Sequence, residues 1–135
     1  MKKLLITALL IASATGQAQA WDDICSTAAQ GKNLTSLQLS EYTDRKLLHR
    51  NFQGSGKVKD VWSGGGMTSK YTVQVDCGND VIVKLPTNAP KASTNLKRGE
   101  YVSFSGMVTG VYQENYSDTR REFILVNFND NAKVW

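Results

Sequence analysis

Two patterns of apolar and polar residues divide the chain after its first twenty residues. Between 21 and 50, Leu34, Leu37, Leu39, Tyr42, Leu47 and Leu48 recur loosely at helical intervals among good helix formers. One or two short helices are expected there, the stronger near 40–50, with Thr35 and Ser40 as candidate N-caps. From Asn51 onward the period is two. Tyr71, Val73, Val75 and Cys77 alternate with Thr72, Gln74 and Asp76, the pattern of a half-buried strand. Gly78-Asn79-Asp80 then turns the chain into Val81–Leu85, so these two strands form a hairpin closed by Pro86.

A first strand is expected over 52–62, where Gly54 and Gly56 mark a bulge or bend, and Ser63-Gly64-Gly65-Gly66 follows as a flexible hairpin loop. No Lys-Ser/Thr follows the glycines, so they are not a phosphate cradle. After a polar connector over 87–98, Lys97-Arg98-Gly99-Glu100 leads into a fourth strand with Val102, Phe104, Gly106 and Val108 on one face. A polar loop over 113–121 and a fifth strand, Phe123 to Phe128, complete the count.

Before all of this stands a different segment. Met1-Lys2-Lys3, an apolar run from Leu4 to Ala12 and Ala18-Gln19-Ala20 have the layout of a cleavable signal peptide, and the run is too short to span a bilayer. The expected organisation is 1–20 signal, 21–50 helical segment and 51–135 β domain, with the working protein in the periplasm or secreted beyond the envelope. Cleavage before Trp21 would leave 115 residues and remove two lysines, lowering the net charge from +4 to +2. That balance alone selects neither nucleic acid nor anionic lipid.

Cys25 and Cys77 are the only cysteines. In an oxidising compartment they most simply form one bridge; the alternative is one buried and one free thiol. With His49 as the sole histidine, no familiar metal-ligand spacing exists, and no nucleophile–base pair is visible. Asp118, Glu122 and Asp130 lie near loops, where acids solvate. A non-enzymatic protein without cofactor is expected. The terminal Trp135 is shared with outer-membrane barrels, but five strands are too few for one.

The element order is that of the OB-fold, a five-stranded Greek-key barrel, giving an all-β class with a short N-terminal helical segment. The phrase Leu96-Lys97-Arg98-Gly99-Glu100-Tyr101-Val102-Ser103-Phe104-Ser105-Gly106-Met107-Val108, with Phe52-Gln53-Gly54-Ser55-Gly56-Lys57-Val58, resembles the exported bacterial OB-fold proteins grouped as tRNA-anticodon-binding-like. More distantly it is similar to the bacterial periplasmic OB-fold proteins associated with stress responses. The resemblance covers about 51–128.

OB-folds bind on the outer face of strands 2 and 3, flanked by the strand 1–2 and 4–5 loops. The resemblance therefore implies a ligand face of Lys57, Lys59, Thr72, Gln74, Ile82 and Lys84, with Trp62 and Lys70 from one loop and Tyr112, Tyr116, Arg120 and Arg121 from the other. Cations interleaved with aromatics suit an anionic polymer. The expected partner is a protein, a glycan or another anionic polymer. The alternatives are single-stranded nucleic acid, disfavoured by location, and a structural or inhibitory role in docking on an envelope enzyme.

Overall fold

The structure is a computed structural model that describes residues 21–92, 95–118 and 121–135. The signal-peptide expectation falls on 1–20, outside the described residues. Two short helices, α1 (Ile24–Ala29) and α2 (Ser36–Tyr42), precede a π-helical turn at Thr43–Leu47. Strands β1 (Asn51–Ser63), β2 (Tyr71–Gly78), β3 (Val81–Thr87), β4 (Tyr101–Asn115), β5 (Glu122–Phe128) and β6 (Lys133–Val134) follow.

The helices start where side chains satisfy free backbone donors. The Asp23 carboxylate accepts from Cys25 N at 3.2 Å. Thr35 and Gln38 form a reciprocal capping box at 3.2 and 3.0 Å. Ser40 lies inside α2 and caps nothing, and the helix expected near 40–50 ends at Tyr42 in the π turn. Helices this short are marginal in water and depend on packing. Ile24, Ala28, Leu39 and Leu47 supply it, joining the same apolar core as Val73, Val83, Phe104 and Val126. The Tyr42 hydroxyl ties the helices together by donating to the Thr27 carbonyl at 2.9 Å.

The sheet closes on itself. Its order is β1-β2-β3-β5-β4-β6, and β4 also pairs with β1, making a ring of five strands. All these pairings are antiparallel except β3 with β5, which is parallel. Closure leaves few exposed edges. The long β1 serves two neighbours: residues 51–57 pair with β4 and 57–63 with β2.

The glycines of β1 do not form the expected bulge. The register slips between Val58 and Asp60, at Lys59. Gly54 and Gly56 instead allow close approach: a Cβ on Gly54 would meet the Phe104 ring, and one on Gly56 the Asp76 carbonyl. At this crowded point Cys25 and Cys77 are bridged, with Cα atoms 5.5 Å apart, fastening α1 to β2.

Three expected boundaries move. Pro86 pairs with Thr72 inside β3, which runs to Thr87, and its carbonyl still accepts from Ala132 N at 2.9 Å. β4 continues through Gly110 to Asn115 because its second half pairs with β5, so residues 113–115 of the expected 113–121 loop are strand. The C-terminus adds β6, and Trp135 exchanges two main-chain bonds with Ser103 at 2.8 and 2.9 Å while its side chain stays exposed.

Candidate functional site

Alternation within the ring assigns side chains to its outer face, and strand register arranges them in rows. One row runs Trp62–Thr72–Pro86 across β1, β2 and β3. The next runs Asp60–Gln74–Lys84–Asn127 into β5. A third holds Lys57, Asp76, Ile82, Leu125 and Tyr112. The first two rows enclose a polar cleft of about 370 Å³, lined by Trp62, Gly65, Thr72, Lys84, Asn127 and Thr109 among others. Three sequence-predicted residues, Trp62, Thr72 and Lys84, thus meet at one place.

Their roles differ. Trp62 is 36% exposed, and the Lys84 ammonium lies 5.8 Å from its ring centroid, within cation–π range. Thr72 is only 2% exposed, and its hydroxyl donates to the Gly64 carbonyl at 2.6 Å. It shapes the cleft and has no free proton to offer. Gln74 flanks Lys84 in the next strand. Asn127 has a buried side-chain oxygen with no hydrogen-bond partner among the described residues. A buried polar atom without a partner is uncommon in a folded protein and asks for a reason.

The segment that follows the glycines, Met67–Lys70, is held by side chains from elsewhere in the domain. Asp130, in the turn after β5, accepts from Met67 N at 3.0 Å, Thr68 N at 3.4 Å and the Ser69 hydroxyl at 2.9 Å. Asn88 accepts from Lys70 N at 2.8 Å and donates to the Thr68 carbonyl at 3.2 Å. The Ser69 hydroxyl, assisted by the loop amides, holds the Asp130 carboxyl below the usual carboxylate range. Gly65, the loop residue that lines the cleft, follows Gly64, whose N–H donates to the Lys70 carbonyl at 2.7 Å and whose carbonyl accepts from the Thr72 hydroxyl.

The other predicted residues lie apart. Lys57 faces Asp76 across the strands, and Lys59 is exposed at the bulge. Ile82 points outward by alternation yet is 1% exposed and lies outside the main core, so it offers no ligand surface. Lys70 sits at the end of the Met67–Lys70 segment, where its main chain is engaged. Tyr112 is exposed and lines a separate groove between α2 and β4.

Tyr116 and Arg121 belong to a second cluster. Arg121 is ion-paired to Asp80, which also meets Lys32 at 3.4 Å. Tyr116 packs on Phe123 with centroids 4.7 Å apart, under the Arg121 guanidinium at 5.4 Å. Hydrogen bonding from Arg121 lowers the Asp80 carboxyl's pKa, and burial first, then Asp80, raises that of the Tyr116 hydroxyl. This cluster joins the loop after α1 to the β2–β3 turn and β5. Arg120 lies outside the described residues.

Asn127, Asp130 and Asn88 are absent from the sequence-level site. Alternation against Ile124, Val126 and Phe128 does mark Asn127 as outward. Only the parallel β3–β5 register sets it beside Lys84. Among the described residues no cluster of histidine, cysteine or carboxylate could hold a metal, and no helix is long and apolar enough to cross a membrane. No family model, no curated protein and no solved structure matches the chain.

Proposed function

We infer that this chain is a non-enzymatic, OB-type binding module of the cell envelope that engages its partner through the outer face of β2 and β3. The ring order β1-β2-β3-β5-β4-β1, with β3 and β5 parallel, supports the five-stranded Greek-key reading. The Cys25–Cys77 bridge supports an oxidising compartment, since structural disulfides persist there. The signal-like pattern at 1–20 supports export to the periplasm.

The observation that carries the reading is the cleft itself. A hydrogen-bonded loop, an aromatic ring on β1, one ammonium group on β3 and an unsatisfied amide oxygen on β5 converge there. Fixed donors and acceptors in a concavity are what specific binding needs, because ordering costs are met during folding.

Charge distribution favours a compact unit of a glycan or protein over nucleic acid. Asp76 faces Lys57, Asp60 pairs with Arg98 at 3.4 Å, and Arg121 is engaged by Asp80. The cations thus do not form the continuous track that a phosphate backbone uses.

The test is a ¹H–¹⁵N titration of the purified protein with envelope glycan fractions, envelope peptides and oligothymidylate. Shifts centred on Trp62, Lys84 and Asn127 are expected. Shifts confined to the groove beside α2, or a silent Trp62 indole with every fraction, overturn the reading. N-terminal sequencing of the protein recovered from the envelope should start at Trp21.

A further inference from the structure

Resting on that reading, the chemistry of the cleft narrows its ligand. Lys84 has Gln74 and Asn127 as its cross-strand neighbours and makes no ion pair among the described residues. It offers one point charge, without the flat fork by which arginine grips phosphate. Trp62 offers an aromatic surface beside that charge. Asn127 holds an acceptor that no donor among the described residues fills. That oxygen is shielded, and because the terminal torsion of asparagine is broad and two-fold, rotation about it turns either end of the amide toward the cleft.

A ligand satisfying all three groups needs an apolar face, a single negative charge and a hydroxyl close together. A sugar ring carrying a carboxylate has this set: C–H groups for the indole, the carboxylate for Lys84 and a ring hydroxyl for Asn127. The cleft volume of about 370 Å³ lies near the lower end of the ~300–1,000 Å³ typical of small-ligand sites, so it admits a compact unit of a longer chain. An extended peptide fits less well. Around the cleft, β2, β3 and β5 are paired on both edges, leaving no strand edge for a peptide main chain to join. We propose that the Trp62–Lys84–Asn127 cleft binds an acidic sugar unit, a uronate, within an envelope or extracellular glycan.

The experiment compares trigalacturonate, its methyl ester, oligothymidylate and an aspartate-rich peptide by calorimetry and ¹H–¹⁵N shifts. The acid trimer should bind with shifts at Trp62, and the ester about tenfold more weakly, the loss of one charge-assisted hydrogen bond. Lys84→Gln should remove the acid–ester difference. Trp62→Ala should weaken both by about tenfold or more, with Trp62→Phe recovering part of the loss. Unchanged melting temperatures verify that the variants fold.

Equal affinity for acid and ester, or no shift at Trp62 with either, overturns the uronate assignment. So does tighter binding of oligothymidylate or peptide at Trp62, although the binding-module reading then stands. Silence of Trp62 toward every envelope fraction defeats that reading as well.

Discussion

The Cys25–Cys77 bridge gives the most quantitative handle on the fold. It closes a loop of 52 residues between α1 and β2. In the chain-entropy model such a loop destabilises the unfolded state by about 4 kcal/mol. For a domain of 115 residues, each kcal/mol moves the melting temperature by roughly 4 °C. The double variant Cys25→Ala/Cys77→Ala should therefore melt roughly 16 °C lower than the oxidised protein. A double variant is preferable to one substitution, which would leave a reactive thiol. The loss should be reproduced by a thiol reductant, and the reduced wild type and the variant should melt together in circular dichroism. Ile24 is fully buried and Ala28 nearly so, so α1 should remain docked in the variant at low temperature. A drop under about 3 °C would mean that the bridge constrains little of the unfolded chain.

Three further outcomes follow from particular contacts. Gly56→Ala should prevent folding or lower the melting temperature severely, because the new methyl group would collide with the Asp76 carbonyl, a backbone atom that cannot swing away. Thr43 is 7% exposed and its hydroxyl has no partner among the described residues, so Thr43→Val should be neutral or stabilising by about 1 kcal/mol in urea unfolding. The Asp130 carboxyl is held below its ordinary pKa by bonds that exist only in the folded state, so its stabilisation is complete above the ordinary carboxylate range. It is lost as pH falls through the depressed value; hydrogen exchange at Met67 and Thr68 should accelerate there, and be fast at every pH in Asp130→Ala.

Alternation made the inward faces legible. Tyr71, Val73, Val75 and Cys77 pack inward as their spacing requires, and so do Val102, Phe104 and Val108. The Gly78-Asn79-Asp80 turn was equally plain, and all three residues have positive φ. Alternation does not say which strands become neighbours. That is why Trp62, Thr72 and Lys84 could be placed on one face, while Asn127, about forty residues after Lys84, could not be placed beside it. The loop was misread for a related reason. Ser63–Gly66 looks unconstrained along the chain, and the Met67–Ser69 segment that follows it is held by Asp130, which arrives from the other end of the domain. Arg121 and Tyr116 show the converse: their residue types suggested ligand contact, yet nearby Asp80 engages both.

Closure of the ring also sets the order in which the chain can fold. The β2–β3 hairpin needs only its own turn and can form early. The seam between Asn51–Lys57 and Tyr101–Met107 joins residues far apart in sequence, and the parallel seam between β3 and β5 needs residues up to Asn127. Neither can form on a partly emerged chain, and contacts of such separation slow folding because their loop entropy is lost before they reward it. Until β4 is available, β1 has an unpaired edge and an incomplete core beneath it. A chain built this way cannot close its sheet while its C-terminal third is missing, so the ring is completed only when the whole domain is present.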